Sequence, residues 1–207
     1  MYVRDAKNRD EVWLLDRIEE MGLDEQAFRS RDYVIAIDEE TNEKAGFGRI
    51  RVHKTERDES ERESSGRGAV AGEVCELTSI GVLEAWRGQG VGAHVVERLV
   101  QTAGDKQFET VYALTPEPEY LAQFGFEGLD EAELPEVLRD RLEEKRTARG
   151  DDVVPVALGT DEFVMPARFR DAFKRAGSED VDPEPEEGPE DFGIDPDEAT
   201  YKYDTGR

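Results

Sequence analysis

Apolar positions recur along this chain with two periods, and their order predicts a mixed α/β domain. Val3-Arg4-Asp5-Ala6 reads as a short first strand. Asn8 or Asp10 caps a helix with Val12, Leu15 and Ile18 on one face, and Gly22 stops it. Asp24 to Phe28 reads as a second short helix. Tyr33 to Ile37 is a strand, Asp38 to Lys44 a polar hairpin turn, and Ala45 to His53 the returning strand. Lys54 to Gly72 is charged and serine-rich, which predicts a solvated loop insertion. Val74 to Val82 is a strongly apolar strand. The next helix opens at Val91, carries Val91, Val95, Val96, Leu99 and Val100 on one face, and runs to Ala103. Val111 to Leu114 is a fifth strand, and Glu117 to Phe124 a helix closing on Gly125-Phe126. Leu134 to Arg146 is a helix with Pro135 at a favoured first-turn position. Val153 to Leu158 is a last strand, and Phe163 to Arg175 a further short helical region.

Between the Val74–Val82 strand and the following helix lies Arg87-Gly88-Gln89-Gly90-Val91-Gly92. Strand, glycine loop and helix N-terminus together make a site for an anion. Glycines let the backbone approach a phosphate and leave its N–H groups free. The helix dipole adds partial positive charge at the same place. The loop lacks the Gly-Lys-Ser/Thr ending of a mononucleotide loop, and its alternating glycines do not fit the dinucleotide pattern. The plainer reading is a glycine-rich turn feeding a helix.

Charge changes the picture. The chain has 207 residues and a net charge of −24, with 51 Asp and Glu. A nucleic-acid binder needs a basic face, so that class is excluded. Arg outnumbers Lys, and the acidic surface suits high salt, where screening removes much of the self-repulsion. This points to a halophilic source; a mesophilic protein with one very acidic tail is the alternative. No signal peptide and no long apolar run are present, so a cytoplasmic protein without a membrane partner is expected. One cysteine, Cys75, cannot form an internal disulfide, and no Cys/His cluster offers a metal site. Cys75 reads as a small buried residue rather than a nucleophile. His53 and His94 read as surface or packing residues. Residues 1–176 form the expected folded domain, with the acidic loop inserted at 54–72. Residues 177–207 carry twelve acids against Lys202 and Arg207, with four prolines, so a largely disordered tail is expected. An apolar island, Phe192-Gly193-Ile194 and Tyr201 to Tyr203, leaves docking on the core or on a partner open.

Arg-x-x-Gly-x-Gly, preceded by Leu77-x-Ser79-Ile80-x-Val82 and Trp86, resembles motif A of the GNAT superfamily of acyl-CoA-dependent N-acyltransferases. The resemblance covers about residues 2 to 160. It implies an α/β fold with a mixed central sheet, flanking helices and a strand–glycine loop–helix site for acetyl-CoA, with no metal. It implies that the strand amides at Ile80 and Val82 hold the pantetheine arm and the acetyl carbonyl. It also implies that the amides of Gly88, Gln89, Gly90, Val91 and Gly92 bind pyrophosphate, with Arg87 steadying the loop. Transfer is direct, so the absence of a Ser-His or Cys-His arrangement is no objection.

The amine must lose a proton, and Glu76 is the candidate base. It shares the parity of Thr78 and Ile80 on the signature strand. In an apolar run its pKa is expected to rise if its side is dry. The competing reading pairs it with Arg49 or Arg51 across the sheet. For the acid that protonates the leaving thiolate, many family members carry Tyr four residues before the Gly of Gly-Phe. Here that position is Leu121. Tyr120 lies one residue earlier, about 100° around the helix. Tyr120 is the candidate acid, and release of thiolate to solvent is the alternative.

Leu114-Thr115, Glu119 to Phe126, Leu134-Pro135-Glu136 and a helix ending Lys145-Arg146 resemble the acetyltransferase domain of N-acetylglutamate synthases. The Ala71-Gly72-Glu73-Val74-Cys75-Glu76-Leu77 stretch resembles the signature strand of that family. The resemblance implies a small amino acid, glutamate first, as the amine acceptor, and allows a homodimer. Arg49, Arg51, Arg139, Arg141 and Lys145 are the cations available for its carboxylates; pairing with surface carboxylates is the plainer use of each. Two further readings stay open. One is an enzyme acting on peptide N-termini or lysines; the other is a non-catalytic acyl-CoA-binding module.

Overall fold

The computed structural model describes residues 1–54 and 72–177. The loop insertion and the acidic tail expected from the sequence lie outside the described residues. The strands are β1 (Tyr2–Asp5), β2 (Tyr33–Ile37), β3 (Lys44–Lys54), β4 (Glu73–Val82), β5 (Thr110–Thr115), β6 (Glu127–Gly128) and β7 (Val154–Gly159). The helices are α1 (Glu11–Glu20), α2 (Val91–Asp105), α3 (Pro118–Ala122), α4 (Glu136–Arg149) and α5 (Ala167–Arg175). One mixed sheet runs in the order β1-β2-β3-β4-β5-β7-β6. Among the described residues the one parallel pair is β4 with β5, joined through α2, because a parallel connection needs a crossover of that length.

The period of two sorts the sheet faces. Val34 and Ala36 of β2 join the core under α2, built on Val91, Val95, Val96, Leu99 and Val100. Tyr33, Ile35 and Ile37 point the other way, against Leu14 and Ile18 of α1. Leu138 and Leu142 of α4 pack with Leu114 and Val153. Among the described residues no helix is long and apolar enough to cross a membrane.

Four elements differ from the sequence reading. Helix α1 buries Leu14 and Ile18, whereas Val12, expected on the same face, is exposed. Asp24 to Phe28 is not a helix. Ala27 sits at φ 49°, outside the right-handed helical region. Arg49 instead donates to the Gln26 and Ala27 carbonyl oxygens at 2.8 and 2.6 Å, supplying the hydrogen bonds a helix would have given. The last helical region begins at Ala167, because Pro166 holds an extended cap with ψ 136°. Phe163, before it, lies stacked on Phe124. The two-residue strand β6 carries no alternation and was not expected.

β4 shapes the middle of the sheet. It pairs with β3 along its length but with β5 only through Cys75, Glu76 and Leu77. The register between Phe47 and Arg49 of β3 is shifted, so Ser79 and Ile80 face Gly48 alone. Ser79 takes φ 49°, the left-handed turn of a bulge, and its hydroxyl donates to the Asp24 carbonyl at 2.7 Å. A bulge bends its strand, and β4 parts from β5 at this point.

Gly90 sits at φ 75° and is pressed by α5. A Cβ there would collide with the Phe169 carbonyl oxygen and lie 3.1 Å from the Phe173 nitrogen. Gly88, at φ 76°, faces open space. Gly90→Ala should therefore cost about 2 to 4 kcal/mol by displacing α5, whereas Gly88→Ala costs only the left-handed strain of about 1 to 2 kcal/mol. Urea denaturation of the two variants checks this; equal midpoints would remove α5 from the explanation.

Candidate active site

The parting of β4 from β5 opens a cavity of about 490 Å³. Thr78, Ile80 and Val82 form one wall and Thr115 and Tyr120 the other, with Gly92 at one end. Leu83 N–H donates to the Ala45 carbonyl of β3 at 2.9 Å. Alternation along the strand then turns the N–H groups of Val82 and Ile80 away from β3, toward the cavity. The first intrahelical bond of α2 runs from His94 N–H to the Gly90 carbonyl, 3.2 Å. The N–H groups of Val91, Gly92 and Ala93 precede it and have no acceptor inside the helix. No side chain caps this end and no acid lies in the first turn. Arg87 Nε reaches the Val82 carbonyl at 3.4 Å and Gln89 donates to the Ala85 carbonyl at 2.8 Å, so both side chains brace the loop.

Glu76 is fully buried below the cavity and does not line it. His53 Nε2 lies 2.8 Å from one carboxylate oxygen, and Arg141 Nε 3.5 Å from the same oxygen. Lys145 Nζ lies 2.8 Å from the other oxygen, an ion-pair contact without full hydrogen-bond alignment. Burial by itself raises this carboxyl. The His53 hydrogen bond and the charges of Lys145 and Arg141 outweigh burial and bring it down to about 2. The expected rise in pKa is thus corrected: the site is dry but filled with donors. Arg51 faces Glu76 in the strand register, yet its guanidinium goes to Asp24. His53, read as a surface or packing residue, is instead a buried partner of Glu76. A two-residue period on β3 and β4 put both side chains on one face; only the register showed that they meet.

Of the five candidate cations, Arg141 and Lys145 line the cavity. Arg49 is consumed by the carbonyls of the 24–27 turn, and Arg139 by those of Leu134 and Ala132. Arg51 and Arg141 both pair with Asp24. Arg141 also reaches Gln26 Oε1 at 3.4 Å, and Lys145 donates to Thr78 Oγ1 and the Leu114 carbonyl, both 3.2 Å. Burial lowers the Lys145 ammonium, although Glu76 pulls the other way. The signal available in the sequence was spacing: residues 141 and 145 are four apart and share one face of α4.

Tyr120 lines the cavity, so its offset from the expected position does not aim it away. Burial pushes its phenol up to about 12. A Cβ on Gly92 would lie 2.7 Å from the hydroxyl, which places the phenol at the start of α2. Cys75 is buried and its thiol is raised to about 12, the reverse of a nucleophile. His94 is a packing residue, stacked on Phe173 at 3.8 Å.

Comparison with known proteins fits this geometry. Residues 3–126 match the acetyltransferase (GNAT) family. The chain belongs to that family, and its mixed sheet is the GNAT fold. An amino-acid acetyltransferase of Mycobacterium tuberculosis is 41% identical over 51 residues, 25% of this chain and 29% of that protein. The match thus spans less than a third of the curated relative. Rv2747 of M. tuberculosis, solved in complex with CoA, aligns with a TM-score of 0.57 at 18% identity, covering 77% of this chain and 99% of that one. N-acetylglutamate synthase of Neisseria gonorrhoeae, complexed with coenzyme A and N-acetyl-glutamate, gives 0.55 at 16% identity, covering 77% and 35%. At these identities the structural likeness is one of fold.

The Glu76 network makes stability depend on pH. A carboxyl lowered in the folded state stabilises above its unfolded pKa, and that contribution is lost as pH falls through the folded value. The window is about pH 4.5 down to about 2, and the loss is on the order of 3 kcal/mol. Glu76→Gln should be destabilised near neutrality, because Lys145 and Arg141 lose their partner. It should also lack this acid slope. Urea midpoints at pH 6, 4 and 3 check it; parallel profiles for wild type and variant would show that Glu76 carries no such linkage.

Proposed function

We propose that this GNAT enzyme moves an acetyl group from acetyl-CoA to the α-amine of a small amino acid bearing carboxylates, with glutamate first. One observation carries the reading. Arg141 and Lys145 line the cavity beside Asp24, Glu117 and Glu144, and Glu76, which holds both cations, does not itself enter it. Two cations in the lining suit the carboxylates of an acceptor, and the acids beside them suit its amine; Arg binds carboxylate with two parallel hydrogen bonds. The M. tuberculosis relative, an amino-acid acetyltransferase, supports the same class.

In this reading the amides of Gly88 to Gly92 bind the pyrophosphate of acetyl-CoA, and the amides of Ile80 and Val82 hold the pantetheine arm and the carbonyl. The free amine attacks the thioester carbon. A carbon–nitrogen bond forms, charge develops on the carbonyl oxygen against an oriented N–H group, and the carbon–sulfur bond breaks. The surplus proton on nitrogen passes to water, and the sulfur departs as thiolate and takes its proton from solvent. Tyr120 lies beside this path. A phenol near 12 stays protonated next to a thiolate whose conjugate acid is near 8.5, so it donates a hydrogen bond rather than the proton itself. Glu76, anionic throughout the working range, is too weak a base to strip an ammonium ion. We assign it to positioning Lys145 and Arg141. The reaction is placed within residues 1–176, with the acidic tail outside it.

Lys145→Met should raise KM for glutamate by about tenfold or more while leaving KM for acetyl-CoA near its wild-type value. Glu76→Gln should act mainly on the same KM and keep the acidic limb of the pH profile. A limb that vanished in the Gln variant would restore Glu76 as the base. Tyr120→Phe should lower kcat by about 10-fold to 100-fold. An acceptor screen with acetyl-CoA in high salt tests the class: turnover on peptide N-termini but not on free amino acids would put a protein acetyltransferase in its place. Truncation after Gly177 should keep most of the turnover.

A further inference from the structure

Four residues of α4 line the cavity at helical spacing: Arg141, Glu144, Lys145 and Ala148. Their polar groups are not equally committed. The Lys145 ammonium has three N–H groups and three partners, namely Glu76, Thr78 Oγ1 and the Leu114 carbonyl. It acts on a ligand through its charge, with no spare donor. Arg141 differs. Its Nε lies against Glu76 and its Nη2 against Asp24. Both of those acids are fixed. Glu76 is fully buried among its cations, and Asp24 also takes the Arg51 guanidinium at 3.1 Å and the Gln26 backbone N–H at 3.0 Å. The remaining Arg141 nitrogen, Nη1, faces Gln26 Oε1 at 3.4 Å and Glu144 Oε2 at 3.2 Å. The Glu144 side chain is 56% exposed, and Ala148, one turn on, carries no polar group to hold it.

An exposed ion pair on a helix is weak, because water screens it and holding two long side chains costs entropy. A buried partner such as Glu76 is far costlier to remove. A carboxylate entering the cavity therefore meets one cationic nitrogen whose present partner can yield. Glu144 is itself a carboxylate, so the exchange replaces like with like. Nη1 keeps an anion, and Glu144 turns into water, which solvates it. Of the other acids in the lining, Asp24 is locked by its own partners, and Glu117 belongs to the wall that carries Tyr120.

We propose that Glu144 is an internal stand-in for the acceptor: in the free enzyme it occupies Arg141 Nη1, the carboxylate of the amino-acid substrate displaces it, and it thereby sets the acceptor KM. The proposal rests on the amino-acid reading above. Two measurements on the full chain test it: steady-state kinetics with glutamate, and calorimetry with glutarate, a dicarboxylate without an amine. The variants are Glu144→Gln, Glu144→Ala and Glu143→Gln. Glu143 is an exposed neighbour outside the cavity lining, so its variant removes the same charge without touching Arg141. Melting curves verify that each variant keeps the fold. Both Glu144 variants should lower KM for glutamate by about threefold and tighten glutarate by a similar factor. That factor corresponds to a pair closed about two-thirds of the time in the free enzyme. Values of kcat and of KM for acetyl-CoA should stay near wild type, and Glu143→Gln should match wild type throughout. Unchanged or weakened binding of glutamate and glutarate in the Glu144 variants overturns the proposal. So does an equal gain in Glu143→Gln, which would mark a general effect of net charge. Wild type that acetylates no carboxylate-bearing amine overturns the amino-acid reading itself, and the glutarate comparison then decides the exchange at Arg141 alone.

Discussion

One buried carboxylate fixes the chemistry of the cavity. Glu76 sits on the central strand with no exposure to water, and a lone ion there would be expelled or neutralised. It persists because His53 from β3 and two cations from α4 converge on it. The dependence runs both ways. Lys145 is itself largely withdrawn from water and needs an anion beside it, and Arg141 is shared between Glu76 and Asp24. The carboxylate therefore ties α4 to the sheet and sets two cationic side chains at the floor of a cavity it does not enter. Replacing such a network with apolar groups often costs little stability, whereas removing one member strands the rest. Its retention in this protein is understood best through what it presents to the cavity.

The cavity itself comes from a backbone decision. β4 leaves β5 after Leu77 because Ser79 and Ile80 oppose a single residue of β3. The strained Ser79 is steadied by its bond to the 24–27 turn, and that turn is steadied in turn by Arg49. The same segment carries Asp24 and Gln26 into the cavity wall. Opening of the sheet and placement of the polar wall are thus one event, built from residues more than fifty positions apart.

Charge divides the molecule by role. The chain is strongly acidic, while α5 carries four cations against Asp171 and the cavity lining mixes Arg141 and Lys145 with Asp24, Glu117 and Glu144. Screening limits each of these charges to its own neighbourhood. α5 also explains Gly90 in a way that the loop motif does not: the helix backbone occupies the space a Cβ would take.

Sequence periodicity determined most of the elements here. The apolar stripe of α2, the continuous apolar run of β2 and the alternating glycines of the loop each follow from spacing, and spacing is local. The family was legible for the same reason, since its motif lies within one strand, one loop and one helix. What the sequence did not decide was which distant charges meet. His53 and Glu76 are 23 residues apart, and Glu76 and Lys145 are 69 apart. Their pairing depends on strand register and on the docking of α4. From the chain alone Glu76 looked like a carboxyl in a dry site with a raised pKa; the tertiary structure filled that site with donors and reversed the sign. The 24–28 segment failed as a helix for a related reason, because a side chain from β3 supplied its hydrogen bonds. Local pattern fixes which way a residue faces along its own element. Only packing decides what it faces, and for buried charges that decides nearly everything.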